Sequence, residues 1–382
     1  MTKRSSTNRT TTRRGDRATA ATGPVLGARA LNRATLERQL LLRRSPLSAL
    51  EAVEHLVGLQ AQEVKPPYYA LAARLDGFTT EELSGLLADR AVVRLVTMRS
   101  TIHMHTADDS LTLRPLVQPA RDREINYFRR GLVGVDLDRL AVLSRELVEA
   151  EPRTMKQLRE ALGAEWPDAD PQSLAIAARC SLPLVQVTPR GMWGRSAQVT
   201  LTTAEHWLGR PAEPAADTDA TVLRYLAAFG PASVKDMQTW SGLTRMRAAF
   251  ERLRPQLLTF RDENGVELFD LPDAPRPDPD TPAPPRFLPE FDNVLLSHAD
   301  RTRVIPPANR GRTWQANTFY CPLLVDGFLS GVWRILGDAL VIEPFIELTK
   351  AQRTEVTEEA ERMLSVVHPQ TPYDIRFGTV IA

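Results

Sequence analysis

Cysteine is almost missing from this 382-residue sequence: Cys180 and Cys321 stand far apart, with no CxxC and no clustered histidine near either. That argues against a disulfide scaffold and against a structural zinc site, so neither metal nor other cofactor is expected. No uninterrupted apolar run is long enough to span a bilayer. The opening MTKRSSTNRTTTRRGDR lacks the apolar stretch and small-residue cleavage site of a secretory signal. A membrane role is therefore not expected, and the cytoplasm is the default compartment. Lysine is scarce as well, five against 43 arginines. That bias suits a genome rich in G and C and carries no information about substrate.

What is present is ordinary globular composition, 43% hydrophobic and 25% charged, in a chain long enough for several cores. The formal charge of +1 hides an asymmetry. Residues 1–30 carry seven basic side chains against Asp16 alone, a charge of +6, which leaves the other 352 residues at −5. This Thr/Ser-rich arm reads as a disordered basic tail able to touch phosphates, or as a merely solvated terminus. If the remainder binds DNA, its basic residues must gather on one face.

Three segments share one pattern, helices of about ten residues followed by two short apolar runs around a turn, which predicts three tandem winged-helix units. In residues 31–125, Arg33 to Arg44 and Leu47 to Leu59 read as helices. Another opens at Thr80 behind an N-cap at Thr79 or Thr80, and AVVRLVTMRSTIHMHT supplies two strands. In residues 126–208, three helical runs precede LVQVTPRGMWGRSAQVTL, with a turn at Pro189-Arg190-Gly191. In residues 209–272 the hairpin signal is Asn264-Gly265 within LLTFRDENGVELFDL. The Pro-rich stretch 273–285 reads as a stiff linker or surface loop. Residues 286–382, with alternating runs around Gly331 and Gly337-Asp338 and then an amphipathic helix, read as a β-rich α+β part.

Gln60 and Gln62 are the most informative pair. Placed at the frayed end of a helix stopped by Pro66-Pro67, both amides would face one cleft, or would simply bond loop backbone. RTRVIPPANRGRTW carries Arg301, Arg303, Arg310 and Arg312 without one acid, a set suited to phosphates or a narrow groove, or to a solvated loop. His103 and His105 share one face of a strand, as a metal pair would, but no third ligand lies nearby. His298 and Asp300 are further cleft candidates without an assigned role, and Lys65 is expected on the surface.

The runs NRATLERQLLLRR, LVGLQAQE, VVRLVTMRSTIHMHT, LPEFDNVLLSHADRTRVIPP and LVDGFLSGVWR, taken together, resemble the AlkZ-like family of winged-helix DNA glycosylases from residue 30 to the C-terminus. The resemblance implies a C-shaped DNA clamp and a Gln-apolar-Gln catalytic motif, matched by Gln60-Ala61-Gln62. A sister branch carries Asp at the last position. It also implies that Arg99, Thr101 and His103 line the cleft, and that a hairpin near Arg310 and Arg312 enters DNA. The expected function is removal of N7-alkylated guanine from double-stranded DNA, including unhooking of interstrand crosslinks, by a monomeric, nucleoid-associated enzyme. Its setting would be repair or self-resistance to an alkylating natural product. Two alternatives stay open, a tandem winged-helix transcription regulator and a noncatalytic lesion- or drug-binding resistance protein.

Overall fold

The computed structural model describes residues 23–315 and 317–381, and the chain is a mixed α+β protein. The expected basic tail lies outside the described residues as far as position 22. Residues 23–30, grouped with it from sequence, are folded: Leu26 N–H donates to the Arg261 carbonyl (2.8 Å) and Arg261 N–H to the Pro24 carbonyl (2.9 Å). A helix then begins at Ala28. The chain passes so close to its neighbour that a Cβ at Gly23 would lie 2.1 Å from the Thr259 carbonyl oxygen.

The helix Ala49–His55 starts with a reciprocal capping box between Ser48 and Glu51. It ends well before Leu59, its expected end, because Val57 and Gly58 both take positive φ (54° and 94°) and turn the chain into a strand, Leu59–Gln60. This strand pairs with Ile102–Thr106, which pairs with Val92–Val96. Leu184–Gln186 and Leu201–Thr203 extend the same sheet, so the strands expected as separate wings of the first two units form one five-stranded sheet. Its central strand explains this. Val92 faces one core with Leu59 and Met104, while Val93 and Leu95 face another with Val185 and Ala204. A strand apolar on both faces needs neighbours on both faces.

The turn expected at Pro189-Arg190-Gly191 lies within a long excursion between Gln186 and Leu201, which carries Trp193 onto Tyr68 and Tyr69. Leu258–Arg261 and Glu267–Asp270, by contrast, form the expected hairpin. Gly265 takes φ 78° and Asp262 Oδ1 accepts from the backbone of Asn264 and Val266.

The C-terminal part is a five-stranded sheet, in the order Asp374–Phe377, Ala339–Pro344, Phe328–Leu336, Cys321–Val325, Arg286–Phe287, backed by the helix Lys350–Val367. Its core is continuous with that of the first unit: Ala61, Tyr68 and Leu71 pack in one cluster with Phe287, Trp333 and Met363. The Pro-rich segment is a strap laid on the first helix, since the carbonyls of Pro275, Pro279 and Thr281 accept from Arg38, Arg29 and Arg33. Two fully buried ion pairs, Arg38 with Asp270 and Arg74 with Asp292, tie distant segments together. Among the described residues no helix is long and apolar enough to cross a membrane.

Candidate active site

Gln60 and Gln62 lie on and just beyond a strand, not at a helix end. Ala61 N–H donates to the Ile102 carbonyl (2.8 Å), continuing the ladder past Gln60. Strand alternation buries Ala61 in the core and sends both glutamines to the opposite face. The two amides differ in freedom. Gln60 is only 8% exposed, and its Oε1 accepts from Nη2 of Arg99 at 2.9 Å. A guanidinium only donates, so the carbonyl must face Arg99 and the NH₂ is the free end. Gln62 is exposed, and its Oε1 accepts a long bond of 3.3 Å from the Ile102 N–H. Behind it, buried Arg94 donates to the carbonyls of Ala61 (2.6 Å) and Glu63 (3.1 Å). The backbone of Gln62 is thus held on both sides while its side chain keeps most of its freedom.

Arg99 sits in the turn between the two long strands, with Arg99 and Ser100 both at positive φ (53° and 64°). Turns of this kind match strand twist but normally use Gly or Asn, so the surroundings must hold these residues there. They do: Arg99 Nη1 donates to the Trp240 carbonyl (2.7 Å) and Arg121 reaches Ser100 Oγ. The Nη2 of Arg99 also meets His103 Nε2 at 3.1 Å, while His103 Nδ1 lies 3.0 Å from the Thr101 carbonyl. A carbonyl can only accept, so Nδ1 carries the proton and the lone pair of Nε2 faces Arg99. His103 is therefore neutral, and burial with Arg99 beside it holds its pKa well below the usual histidine range. Burial, with Arg301 adding repulsion, lowers Arg99 to about 10, which leaves it charged at neutral pH.

Arg99 and His103, expected to touch DNA, are thus turned inward onto Gln60, and the Thr101 hydroxyl bonds the Met98 carbonyl at 3.2 Å. His105 stacks on His103 with ring centres 5.7 Å apart and bonds Thr97 Oγ1 at 2.9 Å. Burial lowers its pKa to about 4. Among the described residues no three His, Cys, Asp or Glu gather as a metal site would require.

The basic segment separates into unlike parts. Arg301 and Arg310 line a cavity of about 720 Å³ together with Glu290, Phe291, Trp314 and Phe319. Arg303, expected to touch DNA, is turned inward. It is 5% exposed and donates to the Pro231 carbonyl at 2.8 Å, so its charge serves the interior. Arg312 is exposed and lies over the Phe345 ring at 3.7 Å. The hairpin pairs Trp314–Gln315 with Thr318–Phe319, which places Arg310 and Arg312 before its first strand, not at its tip. Trp314 and Phe319, 55% and 46% exposed, stack with planes only 8° apart. His298 is buried with Nε2 donating to the Phe229 carbonyl (2.9 Å), and burial pushes its pKa far down. Asp300 lines the cavity and Lys65 is exposed.

Sequence reasoning passed over three residues that build the site. Arg94 holds the Gln62 backbone, Asn293 Nδ2 donates to the Gly58 carbonyl (2.9 Å) behind the glutamine strand, and Glu290 faces the cavity. Each lies inside a stretch that is informative as a whole, but no local pattern marks the individual side chain.

Comparison with known proteins gives three agreeing findings. A family model described as DNA glycosylase AlkZ-like matches residues 53–366. The interstrand DNA cross-link repair glycosylase of Streptomyces sahachiroi is 25% identical over 356 residues, covering 85% of this chain and 92% of that protein. The solved structure of the S. sahachiroi DNA glycosylase AlkZ matches with a TM-score of 0.78 at 20% identity, over 93% of this chain and all of the other.

Proposed function

The chain belongs to the AlkZ-like DNA glycosylase family, and on that premise we propose that it hydrolyses the N-glycosidic bond of N7-alkylated guanine in double-stranded DNA, including guanines held in an interstrand crosslink. The observation that carries this reading is the pair of unlike amides, one clamped by Arg99 and one exposed, on and just beyond the same short strand. An N7-alkylated guanine is cationic and needs no general acid to depart. The protein has to orient the sugar and hold a water at the anomeric carbon. Gln62 is the residue with a side chain free to accept from that water. Gln60, with its carbonyl fixed on Arg99, presents NH₂ and is a donor toward the sugar or phosphate. Water as nucleophile implies an intact abasic site as product.

The three sets of helices and strands act as winged-helix units, and with the C-terminal part they form a C-shaped clamp that reaches the lesion from a groove. What supports this is the recurrence of helices followed by antiparallel strands, together with exposed Trp314 and Phe319 at the cavity rim. A base tethered to both strands cannot swing freely into a deep pocket, and an open cleft removes that need. The biological setting is repair of alkylation damage or self-resistance to an alkylating natural product. A transcription regulator would have no use for a buried arginine that orients one glutamine.

The test is incubation of the purified protein with duplexes containing N7-methylguanine or a guanine crosslink, followed by alkali and electrophoresis. Strand breaks that appear only after alkali, and persist in EDTA, are expected. Absence of breaks on both substrates would remove the enzymatic reading.

A further inference from the structure

A carboxylate in a cleft built for DNA repels phosphates, so its presence there needs a reason. Glu290 is such a group. It lines the 720 Å³ cavity with Arg301 and Arg310. Among the described residues no Arg or Lys forms an ion pair with it. Its one side-chain hydrogen bond comes from the thiol of Cys321, Sγ to Oε2 at 2.9 Å. Burial and the adjacent carboxylate hold that thiol well above its usual pKa, so it stays a neutral donor and cannot cancel the charge. The backbone explains the aim of the side chain. Phe291 takes a positive φ of 64°, so the chain reverses between Glu290, which faces the cavity, and Asp292, which turns inward to Arg74. Leu288 N–H donates to Pro322 O (3.0 Å) on one side of Glu290, tying it to the C-terminal sheet, and on the other Asn293 bonds the carbonyl of Gly58, just before the strand that carries Gln60. Arg301 lines the cavity with Glu290, and it adds a smaller repulsion to the burial that lowers Arg99, the residue bonded to Gln60.

We propose that Glu290 is a further catalytic residue, whose carboxylate stabilises the positive charge that appears on the deoxyribose as the alkylated base leaves. The proposal rests on the glycosylase reading. In the step, the C1′–N9 bond breaks and its electron pair goes to the purine, which becomes neutral. The positive charge it carried passes to C1′ and O4′ of the sugar. A water oxygen then bonds C1′ and its proton goes to solvent, giving an abasic site. Total charge is unchanged up to proton release, but its location moves from base to sugar. A fixed carboxylate on the sugar side therefore favours the transition state over the bound substrate. This also accounts for a neutral glutamine at position 62: the negative charge for the sugar cation comes from a different segment of the chain.

The discriminating substitution is Glu290→Gln, which keeps an acceptor for the Cys321 thiol and removes the charge. Single-turnover base release from N7-methylguanine duplex is expected to fall about 10²-fold, while affinity for undamaged duplex stays equal or rises a few-fold as phosphate repulsion is relieved. A second readout needs no turnover. Duplexes carrying a protonated pyrrolidine in place of the deoxyribose are compared with duplexes carrying neutral tetrahydrofuran. The wild-type protein should prefer the cation by at least about tenfold, and Glu290→Gln should lose that preference. Glu290→Asp, which keeps the charge one methylene back, should retain part of it. Wild-type base release in Glu290→Gln, an intact cation preference, or equal losses in rate and duplex affinity would each overturn the proposal. Failure of the wild-type protein itself to release base would instead count against the glycosylase reading, and the analogue comparison would still decide on Glu290.

Discussion

Two hairpins serve the proposed site, one paired with the strand that carries Gln60 and the other presenting aromatic faces at the cavity, and they are built on opposite principles. In the one formed by Val92–Val96 and Ile102–Thr106, both strands are buried. Its turn is held by bonds to Trp240 and Arg121 from elsewhere in the chain, and its polar side chains are spent inside the protein, His105 on Thr97, Arg99 on Gln60 and Arg94 on the Ala61 and Glu63 carbonyls. In the other, strands of two residues each present Trp314 and Phe319 to solvent. The first is preorganised and the second is left to adapt to what it meets. Chemistry at a fixed atom needs the former, because a small misplacement of a polar group forfeits much of its effect. Engagement of a distorted duplex suits the latter, since aromatic faces tolerate many partners.

The largest effect should come from the rigid side. Gln60→Ala or Gln62→Ala is expected to slow base release about 10²- to 10³-fold with duplex affinity nearly unchanged. Single-turnover rates with binding curves check this, and wild-type rates in both variants would break the comparison outright. Acid should come next, through stability. Buried His103 and His105 are less basic in the folded chain than in the unfolded one, His105 at about 4. Protons therefore favour the unfolded state. The stability these groups provide is complete above about pH 6.5 and is lost as pH falls toward about 4, with His105 alone worth up to about 3 kcal/mol. Urea midpoints at pH 7 and pH 4.5 measure it, and a midpoint that does not fall would contradict the buried neutral imidazoles.

Arg99→Lys keeps the charge but not the fork that grips Gln60, His103 and the Trp240 carbonyl together. A loss of about tenfold in base release is expected, again with duplex affinity intact. A fall in affinity instead would mean that Arg99 meets DNA after all. The adaptable hairpin should respond in the reverse sense. Trp314→Ala is expected to weaken binding to damaged duplex by roughly 1–3 kcal/mol, without altering the melting temperature of the free protein. The smallest effect is assigned to Arg310→Ala. If Arg310 neutralises a single phosphate, its removal should flatten the salt dependence of binding by about 0.9 log units, and an unchanged slope would show that this side chain stays clear of the duplex backbone.

Much of the architecture is legible in local chemistry. Thr79 caps its helix, and Asn264-Gly265 makes its hairpin, because caps and tight turns are decided by a few adjacent residues. The glutamine pair stands out in the sequence, but the element that carries it does not. The run from Leu47 to Leu59 reads as a helix with the glutamines at its frayed end, and the pairing of Gln60 with His103 joins positions far apart in sequence. Arg301 and Arg303 show the same limit more sharply. Two residues apart and equally basic, one lines the cavity and the other is buried under the Pro231 carbonyl.

By itself the sequence determined the family, the mixed α+β class, most helix starts and the stretches that carry the site, since these follow from periodicity, capping chemistry and short motifs. Only the tertiary structure decided which polar groups face the cleft and which are consumed inside. Arg99 bonds Gln60 and Trp240, and Arg303 bonds Pro231, all partners many positions away, so no local pattern announces where these side chains are satisfied.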